Sequence, residues 1–470
     1  AMEHYPLLFI VALPFLAGLA AVLLPTDSRT PVTWLAALTT LACLALTLSL
    51  YPSVSAGGAI LHRIEWMPSL GLDFVLRMDG FAWIFMTLIM GIGRFAYTPL
   101  LPPMLEAGGL SLSEAGFVAS ANFLGYLAGA LLATRDVFVR ARVRWLRIAV
   151  VASIVTTAAM ALDVGAFGWA VLRFGGGLAS AFALVYVSGM VFDVAVRSGR
   201  PMLGSVLYAG VGAGIALSAL VVHLGRGIGL GAAALWTAMG LIAALLAIVP
   251  WRRLTLPAAP LSLTRPVGSP ARTSASRALR RLTLAYGCLG FGYVITATFI
   301  VVMVRRLPDA PTWEFWTWMT VGLAGAPSNW FWAKVAERVG AYRAIVAAFV
   351  LEAIGVALAA VGSGPAAILA GAVLLGGTFM AITALGLAAG RQLAPERPDQ
   401  TIASMTAAFG FGQIIGPAVG GWLAERSGSF VSASWLAVGV LLVGAALTAS
   451  AGYTLATPTG RAADAKPADR

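Results

Sequence analysis

The stretch GIGRFAYTPLLPPM, from Gly91 to Met104, sets an arginine and a tyrosine inside an apolar segment running from about Phe81 to Leu101. A charged side chain at membrane depth costs roughly 2.5 to 3.5 kcal/mol on insertion scales, so Arg94 is expected to face protein or a water-filled cavity and is a candidate for binding charge. The structural alternative is that Arg94 snorkels to a headgroup from about two turns below the helix end. Tyr97 and Thr98 follow three and four residues on, so the three polar tips are predicted to share one helix face. Pro99, Pro102 and Pro103 weaken the end of this helix, which suits a gate and equally a plain helix exit.

Other polar residues stand inside later apolar segments. Asn122 and Tyr126 are one turn apart, beside Gly125 and Gly129, whose GxxxG spacing permits close helix contact. An intramembrane Asn must find a hydrogen-bond partner, so Asn122 reads either as a substrate contact or as glue between helices. Arg173 opens the run LRFGGG a turn or two below the surface of its span, and Gly175 to Gly177 would let a neighbouring backbone approach. Tyr293, Thr296 and Thr298 lie on a later helix; threonine hydroxyls often bond back to the preceding turn, which makes Tyr293 the better candidate. Gln413 stands in GFGQIIGPAVGG, where Gly412, Gly416 and Gly420 form a small-residue stripe and Pro417 a kink, both assigned to packing and gating. Arg94, Tyr97, Asn122, Tyr126, Arg173, Tyr293 and Gln413 are the expected substrate-binding set. Asn329 and Glu352 also fall at membrane depth, and Glu352, the most central carboxylate, is the candidate proton carrier.

Several chemistries lack their residues. Three histidines, His4, His62 and His223, and two cysteines, Cys43 and Cys288, are too dispersed for a metal site or a disulfide framework. No nucleophile and base pair and no GxxxxGK[ST] loop occurs, so neither an enzyme nor an ATP-driven pump is expected, and no cofactor or metal is called for.

The elements that must carry these residues follow from composition. Hydrophobic residues make up 60% of 470 positions and charged ones 11%, which is the signature of a polytopic membrane protein. Segments of about 20 apolar residues indicate helices rather than barrel strands. Two lie at about 6 to 24 and 32 to 52; the first has no basic flank or cleavage site and is read as retained. Residues 53 to 80 are polar enough to lie outside the hydrocarbon. Six spans follow at about 81–101, 113–133, 146–163, 166–192, 203–223 and 229–250, then an Arg-, Pro- and Ser-rich linker at 251–281. Six more come at about 282–304, 313–333, 342–362, 366–388, 400–424 and 431–453, before a polar tail at 454–470. The fold class is therefore all-α, with fourteen spans: an N-terminal extension, residues 1–80, of two helices, then six-helix units at 81–250 and 282–453.

Internal similarity points to a duplication. Gly91-x-Gly93 recurs as Gly290-x-Gly292, Gly176-Gly177 as Gly376-Gly377, and Gly210-x-Gly212 as Gly410-x-Gly412, at offsets of 199, 200 and 200. By this offset Tyr293 stands opposite Arg94. Two parallel six-helix repeats with a site between them is the pattern of major facilitator transporters. With the start of the 81–101 span in the cytoplasm, most of the 31 Lys and Arg fall on the cytoplasmic side, and within the two repeats only Arg226, Arg305, Arg306 and Arg426 fall in outer loops. The net charge of +12 is then a matter of topology, and no nucleic-acid partner is expected. Arg135, Arg140, Arg142, Arg144 and Arg147 crowd one cytoplasmic loop, and Lys334, Arg338 and Arg343 the matching one.

From about Gly91 onward the chain resembles the YbfB/YjiJ group of major facilitator transporters. The resemblance is carried by GIGRFAYTPLLPPM, SANFLGYLAGALLA at Ser120 to Ala133, LRFGGGLASA at Leu172 to Ala181 and GFGYVITATF at Gly290 to Phe299, and further by GGTFMAITALGLAAGR at Gly376 to Arg391 and GFGQIIGPAVGGWL at Gly410 to Leu423. It implies a twelve-helix transporter fold in a bacterial inner membrane, with Arg173 matching an Arg-plus-glycine motif tied to coupling and the Gln413 segment a gate-region motif. Of the basic loop signature of such proteins, only AKVAERVG at Ala333 to Gly340 is present. Residues 1 to about 93 resemble instead the first helices of the large A-type subunit of Mrp-type sodium/proton antiporters, through FLAGLAAVLLP and WMPSLGLDFVLRMDGFAWIFMTLIMGIG. The two resemblances meet inside one helix, as in a fusion, and the lysines and glutamates of the antiporter ion path are absent.

The expectation is a monomeric secondary transporter, embedded in the bilayer with its C-terminus cytoplasmic, moving a small solute by alternating access. Two arginines against almost no central carboxylates favour an anionic solute. The alternative is a cation/proton antiporter subunit of Mrp type that needs partner subunits, or an inactive fusion product.

Overall fold

The computed structural model describes residues 87–139, 141–197, 203–251, 273–362, 364–395 and 398–456, two strands within 60–78, and a few single positions before residue 50. The predicted spans at about 6–24 and 32–52, most of the linker and the tail after residue 456 lie outside the described residues. The chain divides into two compact units, Ala1–Phe81 and Ala82–Arg470.

In the first unit, β1 (Ile60–Met67) pairs antiparallel with β2 (Leu72–Met78), from Ile60 opposite Met78 to Met67 opposite Leu72, with an irregularity between Glu65 and Met67. The all-α reading is corrected at this segment: residues 60–78, predicted only to lie outside the hydrocarbon, contain a two-stranded ribbon. The charges hid a period of two: Leu72, Phe74, Leu76 and Met78 alternate with Asp73, Val75 and Arg77, and that alternation suits a pleated ribbon.

The second unit is helical throughout its described residues. A π-helix (Thr87–Arg94) leads through a turn into α1 (Tyr97–Glu106). Then come α2 (Leu112–Ala133), α3 (Arg142–Ala159), α4 (Gly165–Arg197), α5 (Leu203–Gly227) and α6 (Ala232–Trp251). The second half comprises α7 (Thr273–Met303), α8 (Ala310–Val339), α9 (Ala341–Val361), α10 (Pro365–Leu393), α11 (Pro398–Ser427) and α12 (Val431–Ala456). Among the described residues eight helices, α2, α4, α5, α7 and α9 to α12, are long and apolar enough to cross a membrane. Large apolar side chains such as Phe167 and Ile228 stand 76% and 78% exposed on the outside, where only a lipid-like solvent favours them. Helix α7 starts at Thr273, well before residue 282, so Arg277, Arg280 and Arg281 belong to a helix rather than the linker; Arg281 donates to the Ser450 carbonyl and to Thr454 Oγ1 on α12.

Packing repeats between the halves. Helix α2 packs on α4, α3 on α4 and on α6, and the π-helix on α4, α5 and α6; likewise α8 packs on α10, α9 on α10 and on α12, and α7 on α10, α11 and α12. A Cβ at Gly177 would lie 2.0 Å from the carbonyl oxygen of Asn122, and one at Gly376 would lie 2.2 Å from that of Val321. Both members of this contact are displaced by 199 residues, so Gly177 matches Gly376 rather than Gly377, one residue off the sequence pairing. Likewise Gly214, not Gly212, packs on the first helix of its half, against Gly91, as Gly412 packs against Gly287 and Gly290.

The halves meet along α1 with α7, α2 with α11, and α5 with α8, a set that the exchange of halves maps onto itself. This is a pseudo-two-fold arrangement. Its axis passes between α1 and α7, where Thr98 Oγ1 donates to the carbonyl of its counterpart Ala297 at 2.8 Å. Small residues let the backbones touch: a Cβ at Gly116 would lie 2.2 Å from Pro417 O, and one at Gly322 would lie 2.6 Å from Gly212 O.

Candidate functional site

The site begins with a missing N–H. Pro99 cannot donate to the Phe95 carbonyl four residues back, and that carbonyl instead accepts from Thr98 N at 3.3 Å. The shift frees the carbonyl of Arg94, which Thr98 would have taken in a regular helix. Arg173, arriving on α4, supplies the missing donors: its Nη2 donates to Arg94 O at 2.7 Å and its Nη1 to Gly93 O at 2.9 Å. The break between π-helix and α1 is thus satisfied by a charged fork, which is also packed over the Tyr97 ring at 5.2 Å. Arg173 is in turn fixed by Asn122, whose Nδ2 donates to the Arg173 carbonyl at 2.8 Å.

The side chain of Arg94, 6% exposed, points toward the other half. Its Nη2 donates to Gln413 Oε1 at 3.2 Å, and Gln413 Nε2 donates to the hydroxyl of Tyr293 at 2.5 Å. Arg94 and Tyr293, counterparts in the repeat, are therefore joined through one glutamine on α11. The guanidinium carbon of Arg94 lies 4.1 Å from the ring centroid of Tyr126, 5.1 Å from Phe123 and 5.6 Å from Phe95, so ring faces solvate the cation. Tyr293 lies nearly parallel to Phe379 at 5.3 Å and to Phe409 at 5.8 Å. Arg94, Phe95, Tyr97, Thr98, Phe123, Arg173 and Tyr293 line a cavity of about 20 Å³ between the halves, room for roughly one water. Tyr97 and Thr98 face it with Arg94, though their hydroxyls are already engaged, Tyr97 donating to Ala115 O at 2.9 Å and Thr98 to Ala297 O.

The structure divides the predicted set. Arg94, Tyr126, Tyr293 and Gln413 form one connected cluster, and Tyr97 and Arg173 line the same cavity. Asn122 is turned to α4 and lies off the cavity wall. Glu352 on α9 is fully buried within the second half, where one oxygen accepts from Thr378 Oγ1 and the other has no partner. Gly125 and Gly129 lie against the α4 backbone, Gly412 and Gly416 against α7, and Pro417 against Gly116 across the halves.

Sequence reading missed two features. One is the wall of Phe95, Phe123, Phe379 and Phe409, whose apolar character gives no signal in an apolar helix. The other is a charge quartet at the end of the bundle where α1 stops. Arg226 reaches Glu106 at 3.1 Å and Glu314 at 3.4 Å, while Arg305 reaches Glu106 at 2.5 Å and Glu314 at 3.5 Å. Each half contributes one arginine and one glutamate. Nearby, Ser113 N on α2 donates to Glu425 Oε2 on α11 at 2.7 Å. A second cavity of about 460 Å³ lies beneath the quartet, lined by Pro99, His223, Arg226, Val301, Glu314 and Phe315 among others.

Solved transporters share this fold. A point mutant of the nucleoside transporter NupG superposes with a TM-score of 0.64 at 14% identity, covering 79% of this chain and 98% of that one. A bacterial homologue of the human lysosomal transporter Spinster, inward-facing and unoccupied, gives 0.57 at 15% identity, covering 79% and 96%. The N-terminal part is similar to curated proteins of another kind. The chain is 39% identical over 122 residues to the A/B subunit of a probable K(+)/H(+) antiporter from Rhizobium meliloti (strain 1021), and 49% identical over 39 residues to the A-type subunit of a Na(+)/H(+) antiporter from Alkalihalophilus pseudofirmus. These matches take in 26% and 8% of this chain but only 12% and 5% of those relatives. The family described as "Uncharacterised MFS-type transporter YbfB" matches residues 86–449, and with its break at Pro99, its repeated packing and its buried cluster between the halves, the chain belongs to that family of membrane transporters.

Proposed function

We propose that the chain is a secondary active transporter that moves a small anionic solute across a bacterial inner membrane by alternating access. The carrying observation is Arg94: a cation buried at the interface of the halves, with its Nε unbonded and, among the described residues, no carboxylate paired with it. An uncompensated charge in a low-dielectric site is costly, and an anionic solute removes that cost on binding. Arg173, which the sequence offers as a second ligand, likewise has an unbonded Nε but gives both Nη groups to backbone carbonyls beside Arg94, and acts as a positioning residue for it.

In this reading α1 to α12 are twelve spans, preceded by two more, and the end bearing Glu106 faces outward, as the distribution of Lys and Arg indicates. The quartet and the Ser113–Glu425 bond then form the outer gate, closed here. Glu352 is the proposed proton carrier: its hydrogen-bond partner Thr378 adjoins Phe379, which stacks on Tyr293, so a change at Glu352 reaches the site through α10.

The test is uptake of a panel of organic anions and cations into proteoliposomes. It compares the intact chain, a form lacking residues 1–80, Arg94→Ala and Glu352→Gln. Anion transport is expected to survive the truncation and to be lost with Arg94→Ala. Glu352→Gln is expected to keep solute exchange but lose accumulation driven by a pH gradient. Cation transport that ignores Arg94→Ala would sink the reading. The similarity to antiporter subunits favours a second reading, assembly with antiporter-type partners through residues 1–80; cation/proton exchange appearing only with such partners would establish it.

A further inference from the structure

Resting on the anion-transport reading, we propose that the solute is a carboxylate carried on a flat aromatic body, and that this carboxylate displaces the Gln413 amide from Arg94. Three observations carry this.

The first is the acceptor that Arg94 now has. A guanidinium offers five donors in a planar fork, and a carboxylate takes two of them in parallel at about 2.7 to 2.9 Å. Gln413 gives one neutral oxygen at 3.2 Å, and Arg94 Nε is left buried without a partner. The amide therefore occupies the position of an anion while meeting only part of the demand.

The second is the wall. Phe95, Phe123 and Tyr126 surround the cation, and Tyr293 forms the middle slab of a stack with Phe379 and Phe409. Such surfaces recognise a planar apolar ring beside the charge. Two hydroxyls of the wall are spent on backbone carbonyls, Tyr97 on Ala115 O and Thr98 on Ala297 O, while the Tyr293 hydroxyl accepts from the Gln413 amide.

The third is the coupling between the two. Gln413 bonds Arg94 in one half and Tyr293 in its own. A carboxylate that displaces the amide from Arg94 releases Gln413 to move with Tyr293, which lines the cavity of about 20 Å³, so that movement of this slab enlarges it. Binding and movement of the halves are one event.

The test is isothermal titration of the full chain in lipid nanodiscs with benzoate, cyclohexanecarboxylate and benzylamine. Benzoate is expected to bind about threefold to tenfold more tightly than cyclohexanecarboxylate, the range that aromatic pairing supplies, and benzylamine not at all. Gln413→Ala should bind benzoate about fivefold more tightly, because the internal competitor is gone, whereas Gln413→Glu should lose it by placing a permanent anion on Arg94. Tyr293→Leu should bring benzoate down to the affinity of cyclohexanecarboxylate, with Tyr293→Phe retaining the preference. Equal or tighter binding of cyclohexanecarboxylate overturns the aromatic assignment while leaving anion transport intact. Weaker benzoate binding by Gln413→Ala overturns the displacement of the amide. Binding of benzylamine in place of benzoate overturns both this inference and the reading beneath it.

Discussion

The two halves of the transporter unit share a frame and differ in chemistry at matching positions. Gly177 on Asn122 and Gly376 on Val321 make the same backbone contact. Yet the polar members of the first half, Arg94, Asn122 and Arg173, stand opposite Tyr293, Val321 and Ala372. The first half carries the charge, the scaffold that holds it and the rings of Phe95, Phe123 and Tyr126 around it; the second supplies the Tyr293 stack and one amide. Backbone follows suit. Pro99 of the first half corresponds to Thr298 of the second, and α7 passes through the equivalent region as unbroken α-helix from Thr273 to Met303, where the first half has a π-helix, a turn and α1. A repeat can thus keep its packing glycines while one proline and one arginine turn a plain helix into a broken one that carries charge.

The shared frame is easiest to break at its glycines. Gly177→Ala and Gly376→Ala place a methyl against a carbonyl oxygen, so each is expected to cost about 3 kcal/mol or more, the upper end for overpacking, and the two losses should agree within about 1 kcal/mol. Unfolding in mixed micelles measures both; one tolerated and one lethal substitution would show that the contact is not truly repeated.

The proline asymmetry comes next. Thr298→Pro should cost about 3 kcal/mol by removing a ladder bond from α7. Pro99→Ala should restore a donor to Phe95 O, compete with Arg173 for the break and reduce transport at unchanged or raised melting temperature. Arg173→Ala should cost about 2 to 3 kcal/mol through two unsatisfied carbonyls and abolish transport, while Ala372→Gly at the matching position costs about 1 kcal/mol, the helix penalty of glycine. Equal losses at Arg173 and Ala372 would deny that the charge is held by the first half alone.

The smallest effect is expected at the quartet, which is partly exposed, with side chains from 8% to 40% accessible. A double-mutant cycle between Glu106→Gln and Arg305→Gln should give about 1 kcal/mol or less. Either single change should favour opening of that end, read as faster labelling of a cysteine placed at His223.

The long helices were legible because hydropathy is a local property. Every predicted transporter span from about 113 onward overlaps a helix, and the residues that join α2 to α11 or α5 to α8 are small enough to mark close approach. What was hidden depends on partners distant in sequence. Asn122 is visibly polar, but nothing in its neighbourhood says that its amide serves the Arg173 carbonyl. Phe379 and Phe409 are ordinary until Tyr293 lies between them. The quartet gathers residues from Glu106 to Glu314; its one local trace is that Glu106 and Arg305 stand 199 residues apart with opposite charge. The start of α7 lies upstream of its apolar segment because a helix extending past the hydrocarbon readily carries Arg277, Arg280 and Arg281, which hydropathy alone assigns to the linker. The hairpin at residues 60–78 is hard to see in the sequence because its charges mask the alternation of its apolar residues.

The bond between Glu106 and Arg305 bears on descent. On a two-fold axis each residue meets its own image, so a dimer of two identical halves would set Glu106 against Glu106, or Arg305 against Arg305, and each would repel itself. The attraction exists only because one copy has diverged from the other. The single chain therefore carries, at the end where α1 stops, a pairing that two identical halves could not make.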